Sequence, residues 1–549
     1  MKKSVWLVLG ILACLAVTAG AYFWANGMIN SLYAYRSPLH NSPPAPGDPL
    51  GKPLTRKVVL VLIDGLREDT SLKSEVMPFL NELRTRSASA TMHSRPPSFS
   101  DPGYSVLLTG AWPDISDGPA LNLPYEETPT FTQDDLFSAV HRAGLRTAIS
   151  ANNWFEKLIP QASVDASFYT AGDDAAADRE VMDAAPPMLE GDYALVLIHI
   201  DQVDYAGHHE GGPLDSRWDA AAARSDELLR EIVTHLDLSQ DTVIVLSDHG
   251  HIDRGGHGGQ DPIALIEPFV ITGAGVIPGM YGDINMVDVA PTIAALLGAN
   301  IPASNQGHVL TNMLNLSDMQ LAAIHDAVAY QQIQLEQTYI PAIGERATNV
   351  LVEPGQDVVN SYQQAMDAAR SQRLFRERTW RGLLALFLAT IPAAILVIRR
   401  DRKVLWLLCG ALLYVLLFNF RYAILGGRTY SLSSPTSEMD IIMFVAVTGT
   451  VALTIAWLAV MLILRAFRHR PLHAASTSLS LTLMTIYLLA IPNLLSYSLN
   501  GALVTWALPD MLSMFVAFLS VIQCLVVAAF GLLLTGIAAL VAWLVVKRT

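Results

Sequence analysis

The chain has 549 residues, of which 52% are hydrophobic and 16% are charged, and its formal net charge is −14. The length exceeds that of a usual single domain, and so high an apolar share is unusual for a soluble protein, so a membrane part is expected. The excess of acidic residues argues against a nucleic-acid-binding protein, which normally presents a basic face. No nucleic-acid polymer is therefore expected as a partner.

The first element along the chain is an apolar stretch at 5–23 that follows Lys2 and Lys3. It ends without a clear small-residue cleavage site, which favours an uncleaved signal anchor over residues 1–25 rather than a removable signal peptide. Residues 26–56 contain many prolines, which prevent helix and central strand, so this segment is predicted to be a stiff linker.

The pattern changes over residues 57–315, where short apolar runs alternate with helix-like segments. The runs are 58–63, 194–200, 242–246 and 268–272, and two of the helix-like segments are 133–143 and 219–236. This alternation predicts an α/β fold with a mostly parallel sheet covered by helices. Because ligands of such sheets bind beyond the carboxyl ends of the strands, the residues that follow the runs are the candidates for a functional site.

Three of these runs end in side chains that bind metals. The residues are Asp64 in "VVLVLIDG", Asp204 and His208 in "DYAGHHEGG", and Asp248, His249 and His257 in "SDHGHIDRGGHGG". One aspartate at a strand end is more often a turn former or a helix cap, but three such runs, two with histidines close by, predict a metal site. All three cysteines lie in apolar stretches outside this domain, so only histidine and carboxylate are available as ligands.

These motifs resemble the alkaline phosphatase superfamily, in its branch of type I phosphodiesterases and nucleotide pyrophosphatases, which includes glycosylphosphatidylinositol ethanolamine phosphate transferases. The resemblance covers roughly residues 57–310 and rests on six motifs in the family's order, "VLVLIDG", "SFSDPGYSVLLTG", "DYAGHHEGG", "SDHG", "GGHGG" and "DVAPTIAALLG". It implies an alkaline-phosphatase-like fold and phosphoryl transfer.

The resemblance also implies two divalent metal ions, usually zinc, with manganese or magnesium as alternatives. One ion would take Asp64, Asp248, His249 and the oxygen of the nucleophile, and the other would take Asp204, His208 and His257. Carboxylate with imidazole and no thiolate suits zinc and tolerates other divalent ions. Four nearby residues stay outside this ligand set as solvated or supporting groups: Asp201, His209, His251 and Asp253.

The nucleophile by the same resemblance is Ser100, which stands two residues before a proline in "SDPGY", with Ser98 as the fallback. Tyr104 replaces the histidine that is usual in the family, which leaves the metals intact but changes the local packing. Asn122 stands near the place where related diesterases keep an asparagine that contacts the phosphoryl oxygens, and a turn residue is the alternative interpretation.

Residues 381–549 are predicted to form a membrane domain with about five transmembrane helices, after a helical connector over 316–380. The apolar stretches are 382–398, 404–425, 441–464, 474–497 and 512–546. Together with the anchor this makes six spans, so both termini lie on one side. The basic loops "RRDRK" and "RAFRHR" fall on that side, which the positive-inside rule identifies as the cytoplasm, and the catalytic domain is then extracytoplasmic.

Five arginines before the first C-terminal span argue against this topology, because they lie on the predicted outer side. They are Arg370, Arg373, Arg376, Arg378 and Arg381. Either they form an interfacial helix that meets lipid phosphates, or the topology is wrong.

The sequence therefore predicts a membrane-anchored, two-metal phosphodiesterase or phosphotransferase that forms a covalent phosphoserine. Its substrate would be a phosphodiester of a lipid, a lipid-linked glycan or a nucleotide, with membrane lipid as a further partner, and the oligomeric state is left open. Two alternatives remain, a phosphoethanolamine-type transferase with a strict lipid acceptor and a transporter or scaffold with a degenerate enzyme head. A sulfatase is disfavoured, because its motif requires arginine where this chain has Tyr104.

Overall fold

The computed structural model describes residues 3–347, 350–353, 355–399, 402–435 and 437–548. The chain divides into two compact units. The α/β unit comprises Leu32–Leu374 and Thr505–Leu508, and the helical unit comprises Met1–Ser31, Phe375–Val504 and Pro509–Thr549.

The α/β unit is built on one eight-stranded sheet with the order β4-β3-β5-β1-β6-β7-β2-β8. Its strands are β1 (Lys57–Ile63), β2 (Ala88–His93), β3 (Thr147–Asn152), β4 (Ala166–Thr170), β5 (Leu195–Ile200), β6 (Asp241–Leu246), β7 (Ile266–Gly273) and β8 (Gly279–Asn285). All neighbouring pairs are parallel except those that β7 forms with β6 and β2. The predicted mostly parallel α/β fold is confirmed.

The helices of this unit cover both faces of the sheet. They are α2 (Glu68–Ser71), α3 (Pro78–Arg84), α4 (Ser100–Thr109), α5 (Leu136–Arg142), α6 (Trp154–Leu158), α7 (Ala175–Ala184), α8 (Pro186–Glu190), α9 (Gln202–His209), α10 (Ser216–Thr234), α11 (Val289–Leu297) and α12 (Asp318–Ala342). The four predicted apolar runs form most of β1, β5, β6 and β7, and the segments 133–143 and 219–236 contain α5 and most of α10.

β1 explains why the central strands are continuous apolar runs. All seven of its residues are buried, and it pairs with β5 on one side and β6 on the other. Leu60 and Leu62 pack in the core beneath α4, α5 and α11, whereas Val59 and Val61 pack in the core beneath α3 and α10. Because both faces are covered, alternation of apolar and polar residues disappears. The carboxyl ends of β1, β5 and β6 meet at one edge of the sheet.

The remaining helices are α1 (Lys3–Tyr33), α13 (Val358–Arg399), α14 (Arg402–Asn419), α15 (Glu438–Ile463), α16 (Pro471–Asn500) and α17 (Met511–Arg548), with a π-helix at Phe420–Leu425. α1 extends beyond the 1–25 segment to Tyr33, since the first proline of the chain is Pro38. α13 begins within the predicted connector and continues through the stretch 382–398.

Within the described residues, five helices are long and apolar enough to cross a membrane: Leu7–Tyr33, Arg402–Leu425, Met439–Ile463, Pro471–Asn500 and Met511–Lys547. The stretch 382–398 is not one of the five. The helical unit has its own core, and buried polar side chains in it pair with one another. The indole of Trp457 donates to the hydroxyl of Ser478 at 2.8 Å, for example. Many large apolar side chains face outward, as expected of helices in lipid. The protein is therefore a membrane protein.

The arginines that complicate the topology are bonded to protein groups. In the α/β unit, Arg370 pairs with Asp114, and Arg373 donates to the carbonyl of Ile343 at 2.7 Å while its guanidinium lies 4.1 Å from the ring centre of Trp506. In the helical unit, Arg378 donates to a backbone carbonyl and Arg381 to a glutamate. Protein contacts thus engage these arginines, so their charge is a weaker argument against the predicted topology.

Candidate metal centre

Three loops bring the predicted ligands together at the carboxyl edge of the sheet. Asp64 follows β1 directly, Asp204 and His208 lie on α9 after β5, and Asp248 and His249 follow β6. His257 comes from the glycine-rich loop after β6. Asp64, Asp248, His249 and His257 are buried, and Asp204 and His208 lie one helical turn apart on α9.

The first group surrounds the Nε2 atom of His249. This atom lies 3.4 Å from Oδ1 of Asp64, 3.4 Å from Oδ2 of Asp248 and 3.1 Å from the hydroxyl oxygen of Ser100. Neither carboxylate oxygen makes a hydrogen bond within the described chain, although both are buried. Burial, and then the charge of Asp64, raises the pKa of Asp248 well above its ordinary value. Two unpaired carboxylate oxygens beside an imidazole and a hydroxyl fit a divalent cation, which would satisfy all four groups.

The second group surrounds Asp204. Its carboxylate oxygens lie 3.5 Å from Nε2 of His208 and 3.4 Å from Nε2 of His257, and the two Nε2 atoms are 2.8 Å apart. Nδ1 of His257 donates to the carbonyl of Ser98 at 2.7 Å, so its Nε2 presents a lone pair. Burial also lowers the pKa of His257 well below its ordinary value, which favours the neutral ring. Two imidazole nitrogens that converge beside a carboxylate fit a second cation.

His251 belongs to the same cluster, although the sequence prediction left it outside the ligand set. Its Nε2 lies 2.7 Å from Oδ1 of Asp204, and the backbone N–H of Gly256 donates to its Nδ1 at 3.0 Å. Nδ1 is therefore the acceptor, and Nε2 carries the proton that His251 donates to Asp204. Burial lowers the pKa of His251 to about 4, so the ring is neutral near pH 7. In this arrangement His251 orients the Asp204 carboxylate.

His199 is a further site residue that the sequence analysis missed. It lies in β5, is buried, and its Nε2 is 3.0 Å from Oδ2 of Asp64. Asp201, two residues later, shares a potential ligand cluster with Asp64 and His199. The one available sequence signal was a polar residue inside an otherwise apolar run, "ALVLIHI".

Tyr104, which stands where the resemblance expects histidine, also reaches Asp64. Its ring is buried, and its hydroxyl donates to Oδ2 of the Asp64 carboxylate. Burial, and then the charge of Asp64, raises the pKa of Tyr104 well above its ordinary value, so the hydroxyl keeps its proton. The substitution therefore supplies a hydrogen-bond donor to a candidate metal ligand.

The two candidate nucleophiles have different surroundings. Ser100 begins α4, and its hydroxyl lies among the groups around His249. The Ser98 hydroxyl donates to the carbonyl of Gly259 and accepts from the N–H of Gly258, both at 3.0 Å. Ser98 thus holds the glycine-rich loop, and of the two hydroxyls that of Ser100 is the one that lies beside His249, a candidate metal ligand.

Asn122 lies beside Ser100. Its Oδ1 accepts from the backbone N–H of Asp101 at 3.0 Å, and its Nδ2 donates to the Ser100 hydroxyl over 3.4 Å. Asp101 accepts in turn from the N–H of Leu123 at 3.0 Å, and burial raises the pKa of Asp101 to about 7. The amide of Asn122 is therefore within reach of a group bound to Ser100.

The glycines allow these loops to approach one another closely. A Cβ on Gly207 would lie 2.2 Å from the ring of His251, and one on Gly258 would lie 2.3 Å from the ring of Phe99. Gly258 also has a φ of 103°, which other residues rarely adopt. The glycine-rich sequence is thus a steric requirement of the site.

Comparison with known proteins gives curated relatives with modest identity. The chain is 27% identical over 299 residues to the human GPI ethanolamine phosphate transferase 2, catalytic subunit, covering 49% of this chain and 30% of the relative. It is 24% identical over 345 residues to GPI ethanolamine phosphate transferase 2 of Kluyveromyces lactis, covering 56% of this chain and 43% of the relative. The chain thus spans less than half the length of either relative.

Among solved structures, murine ectonucleotide pyrophosphatase / phosphodiesterase 5 matches with a TM-score of 0.38 and 14% identity, over 45% of this chain and 96% of that one. The model of the family described as type I phosphodiesterase / nucleotide pyrophosphatase matches residues 58–116 and 126–375, which is more than half of the chain. The resemblance stated from the motifs is confirmed, and the chain belongs to the type I phosphodiesterase / nucleotide pyrophosphatase family, within the alkaline phosphatase superfamily.

Proposed function

We propose that this protein is a membrane-anchored, two-metal phosphodiesterase or phosphotransferase with Ser100 as its nucleophile. The observation that carries the proposal is the position of the Ser100 hydroxyl, 3.1 Å from His249 and in one group with the unpaired oxygens of Asp64 and Asp248. Membership of a phosphodiesterase family supports it.

The residues that would hold the ions are those of the two groups described above. Asp64, Asp248, His249 and Ser100 would hold one ion, and Asp204, His208 and His257 the other, with zinc as the expected metal. Bound there, such ions would lower the pKa of the Ser100 hydroxyl and offset the negative charge of the phosphoryl group.

The chain's own groups then account for binding and transfer. Ser100 Oγ gives up its proton and attacks phosphorus, the bond to the leaving alcohol breaks, and the oxygen of that alcohol takes up a proton. A phosphoserine forms that keeps the other ester group of the diester. Nδ2 of Asn122, which points to Ser100, is placed to donate to a phosphoryl oxygen, and the N-terminus of α4 favours the same negative charge. Attack by water or by a second alcohol on the phosphoserine restores Ser100. Water makes the protein a hydrolase, and an alcohol makes it a transferase.

The substrate is proposed to be a phosphodiester of a lipid or a lipid-linked glycan. Two observations favour this class over a nucleotide, namely the five apolar helices and the curated relatives, which are named as GPI ethanolamine phosphate transferases. By the charge of the loops, we propose six spans including 382–398, cytoplasmic termini and an extracytoplasmic catalytic domain.

The test uses the full chain purified in detergent with zinc. Turnover of a chromogenic phosphodiester, a phosphomonoester and a sulfate ester is compared for wild type, Ser100→Ala and Ser87→Ala. Ser87 is a buried serine whose hydroxyl donates to the carbonyl of Leu83. We expect diester turnover that Ser100→Ala abolishes and Ser87→Ala retains. In acid-quenched protein, mass spectrometry should find on Ser100 the phosphoryl group with the ester group that it retains. The same adduct on Ser98, or unchanged turnover in Ser100→Ala, would overturn the assignment.

The lipid substrate needs a separate assay. The same protein is incubated with phosphatidylethanolamine vesicles and a lipid-linked glycan acceptor, and in parallel with a dinucleotide. Transfer of phosphoethanolamine to the glycan, dependent on Ser100, is the expected result. Cleavage of the dinucleotide alone would favour a nucleotide phosphodiesterase.

A further inference from the structure

The two oxygens of the Asp64 carboxylate have different partners. Oδ1 makes no hydrogen bond within the described chain and lies 3.4 Å from Nε2 of His249. Oδ2 contacts both the Tyr104 hydroxyl and Nε2 of His199, the latter at 3.0 Å. One oxygen is therefore left for a cation while the other is held by protein groups.

The positions of the protons follow from the contacts. The Tyr104 hydroxyl has one proton, which it donates to Asp64, and its oxygen also lies 3.1 Å from Nε2 of His199. Both neighbours of this nitrogen are oxygen atoms that can only accept there, so Nε2 must carry a proton. Asp64 Oδ2 thus receives hydrogen bonds from two donors, and hydrogen bonds to a carboxylate are the stronger kind.

The two donors are fixed in place by packing. The centre of the Tyr104 ring lies 4.4 Å from that of Phe155, and the His199 ring lies 5.3 Å from the same residue. Both side chains are about 1% exposed. With so little free space, neither ring can rotate without displacing its neighbours.

Tyr104 also links the ligand to the nucleophile. It lies one helical turn after Ser100 on α4, so its hydrogen bond ties that helix to the end of β1, where Asp64 lies. The same contact therefore sets both the rotation of the Asp64 carboxylate and the distance between Asp64 and Ser100.

We propose that Tyr104 and His199 are positioning residues, which orient Asp64 so that its Oδ1 and the Ser100 hydroxyl reach the same metal ion. The inference rests on the two-metal centre proposed above. It assigns a function to Tyr104, where the chain departs from its family's motif, and to a histidine inside a buried strand.

The experiment measures metal binding directly. Zinc affinities of the full chain in detergent are determined by competition with a chromogenic chelator, and bound zinc is counted by plasma mass spectrometry. Tyr104→Phe and His199→Leu each remove one hydrogen-bond donor to Asp64. Each is expected to lower the zinc affinity of one site by about 10- to 100-fold, while the affinity of the other site is unchanged. His199→Gln keeps an N–H donor and is expected to restore most of the loss.

Thr242→Val is the matched control for lost stability. Its hydroxyl donates to the carbonyl of Ala274 at 2.7 Å, at the start of β6 and away from the ligands. We expect this variant to lower the melting temperature without changing either zinc affinity. If Tyr104→Phe and His199→Leu behave like Thr242→Val, the two residues are merely structural and the inference is overturned.

Two other outcomes are distinguishable. A wild-type protein that binds no zinc would overturn the proposed function together with this inference, whereas two tight zinc ions in both wild type and Tyr104→Phe would overturn the inference alone. Asp64, His199 and Asp201 also form a potential ligand cluster. Three ions in wild type and two in His199→Leu, with the first two affinities unchanged, would make His199 a ligand and overturn its positioning function.

Discussion

At the scale of single residues, the site concentrates negative charge that the protein alone does not neutralise. Asp64 and Asp248 are both buried, and each keeps one carboxylate oxygen without a hydrogen bond in the described chain. Buried carboxylates that lack a partner destabilise a fold unless a bound cation balances their charge. Asp64 and Asp248 are therefore expected to reduce the stability of the metal-free protein.

Asp248→Asn is expected to raise the melting temperature of the metal-free protein and to lower that of the zinc-loaded protein relative to wild type. Burial and Asp64 raise the pKa of Asp248 in the folded state. Its contribution to stability is therefore complete in acid, below the ordinary pKa of an aspartate, and is lost as the pH rises toward the raised value. The advantage of the variant should grow with pH, which thermal melts in chelator between pH 4 and pH 8 would show.

The order of the melting temperatures of wild type and Asp248→Asn tests whether a cation binds at Asp248. Higher stability of Asp248→Asn in chelator and lower stability in zinc together support the cation site. Lower stability under both conditions would mean that Asp248 is held by protein contacts rather than by a metal.

Asn122 gives a second prediction, because the nitrogen and the oxygen of its side-chain amide have different hydrogen-bond partners. Nδ2 faces Ser100 and Oδ1 accepts from Asp101. Asn122→Ala removes both contacts, whereas Asn122→Asp keeps an acceptor and loses the donor. We expect both variants to lower kcat by about 10²- to 10³-fold, as for loss of one donor to a developing negative charge. Steady-state kinetics on the diester measure this, and near-normal kcat in Asn122→Asp would show that the backbone contact is the one that matters.

At the scale of elements, the start of α5 is held by a buried carboxylate cap. α5 is capped by Asp135, whose carboxylate accepts from the N–H of Ser138 at 3.1 Å and from its hydroxyl at 2.5 Å. α5 packs on α11 and β3, so the cap belongs to the core beneath the sheet. Asp135 is 1% exposed, and the nearby Asp134 bears a second carboxylate.

Asp135→Asn is expected to flatten the dependence of stability on pH. Burial raises the folded-state pKa of Asp135 to about 6, so its contribution is present in acid and is lost as the pH rises through about 6. Asparagine keeps an acceptor for the Ser138 N–H and has no charge to bury. In thermal melts, the melting temperature of Asp135→Asn should rise relative to that of wild type between about pH 4 and pH 7.

Asp135→Ala is the control, because it removes the cap itself. It should lower the free energy of unfolding by about 1 kcal/mol even in acid. Parallel pH profiles for wild type and Asp135→Asn would show that this carboxyl does not titrate differently in the folded protein.

At the scale of the whole molecule, the chain combines an α/β unit with apolar helices, and the side of the membrane on which each part lies is a prediction. Single cysteines at the exposed positions Asp48 and Arg468, in a chain whose three native cysteines are replaced by alanine, test it. An impermeant maleimide should label Asp48→Cys in intact cells and Arg468→Cys only after permeabilisation. The cysteine-free chain controls for background, and the reverse pattern would invert the proposed topology.

The sequence by itself determined the parts of this protein that depend on local pattern. Apolar runs of strand length, carboxylates at their ends and long apolar stretches are readable because burial on both faces, sheet topology and lipid each impose a composition on consecutive residues. The mostly parallel sheet and the membrane part followed from these signals, as did the convergence of the three ligand-bearing loops, whereas the family followed from the resemblance of six motifs to it.

Only the tertiary structure decided how the neighbouring side chains are used. Tyr104 and His199 meet at Asp64 from positions 40 and 135 residues away along the chain, and His251 donates to Asp204, 47 residues before it. The two candidate nucleophiles were distinguished in the same way, because the Ser98 hydroxyl bonds to glycines some 160 residues later. Such contacts depend on distances and directions between distant segments, which no local period of the sequence encodes.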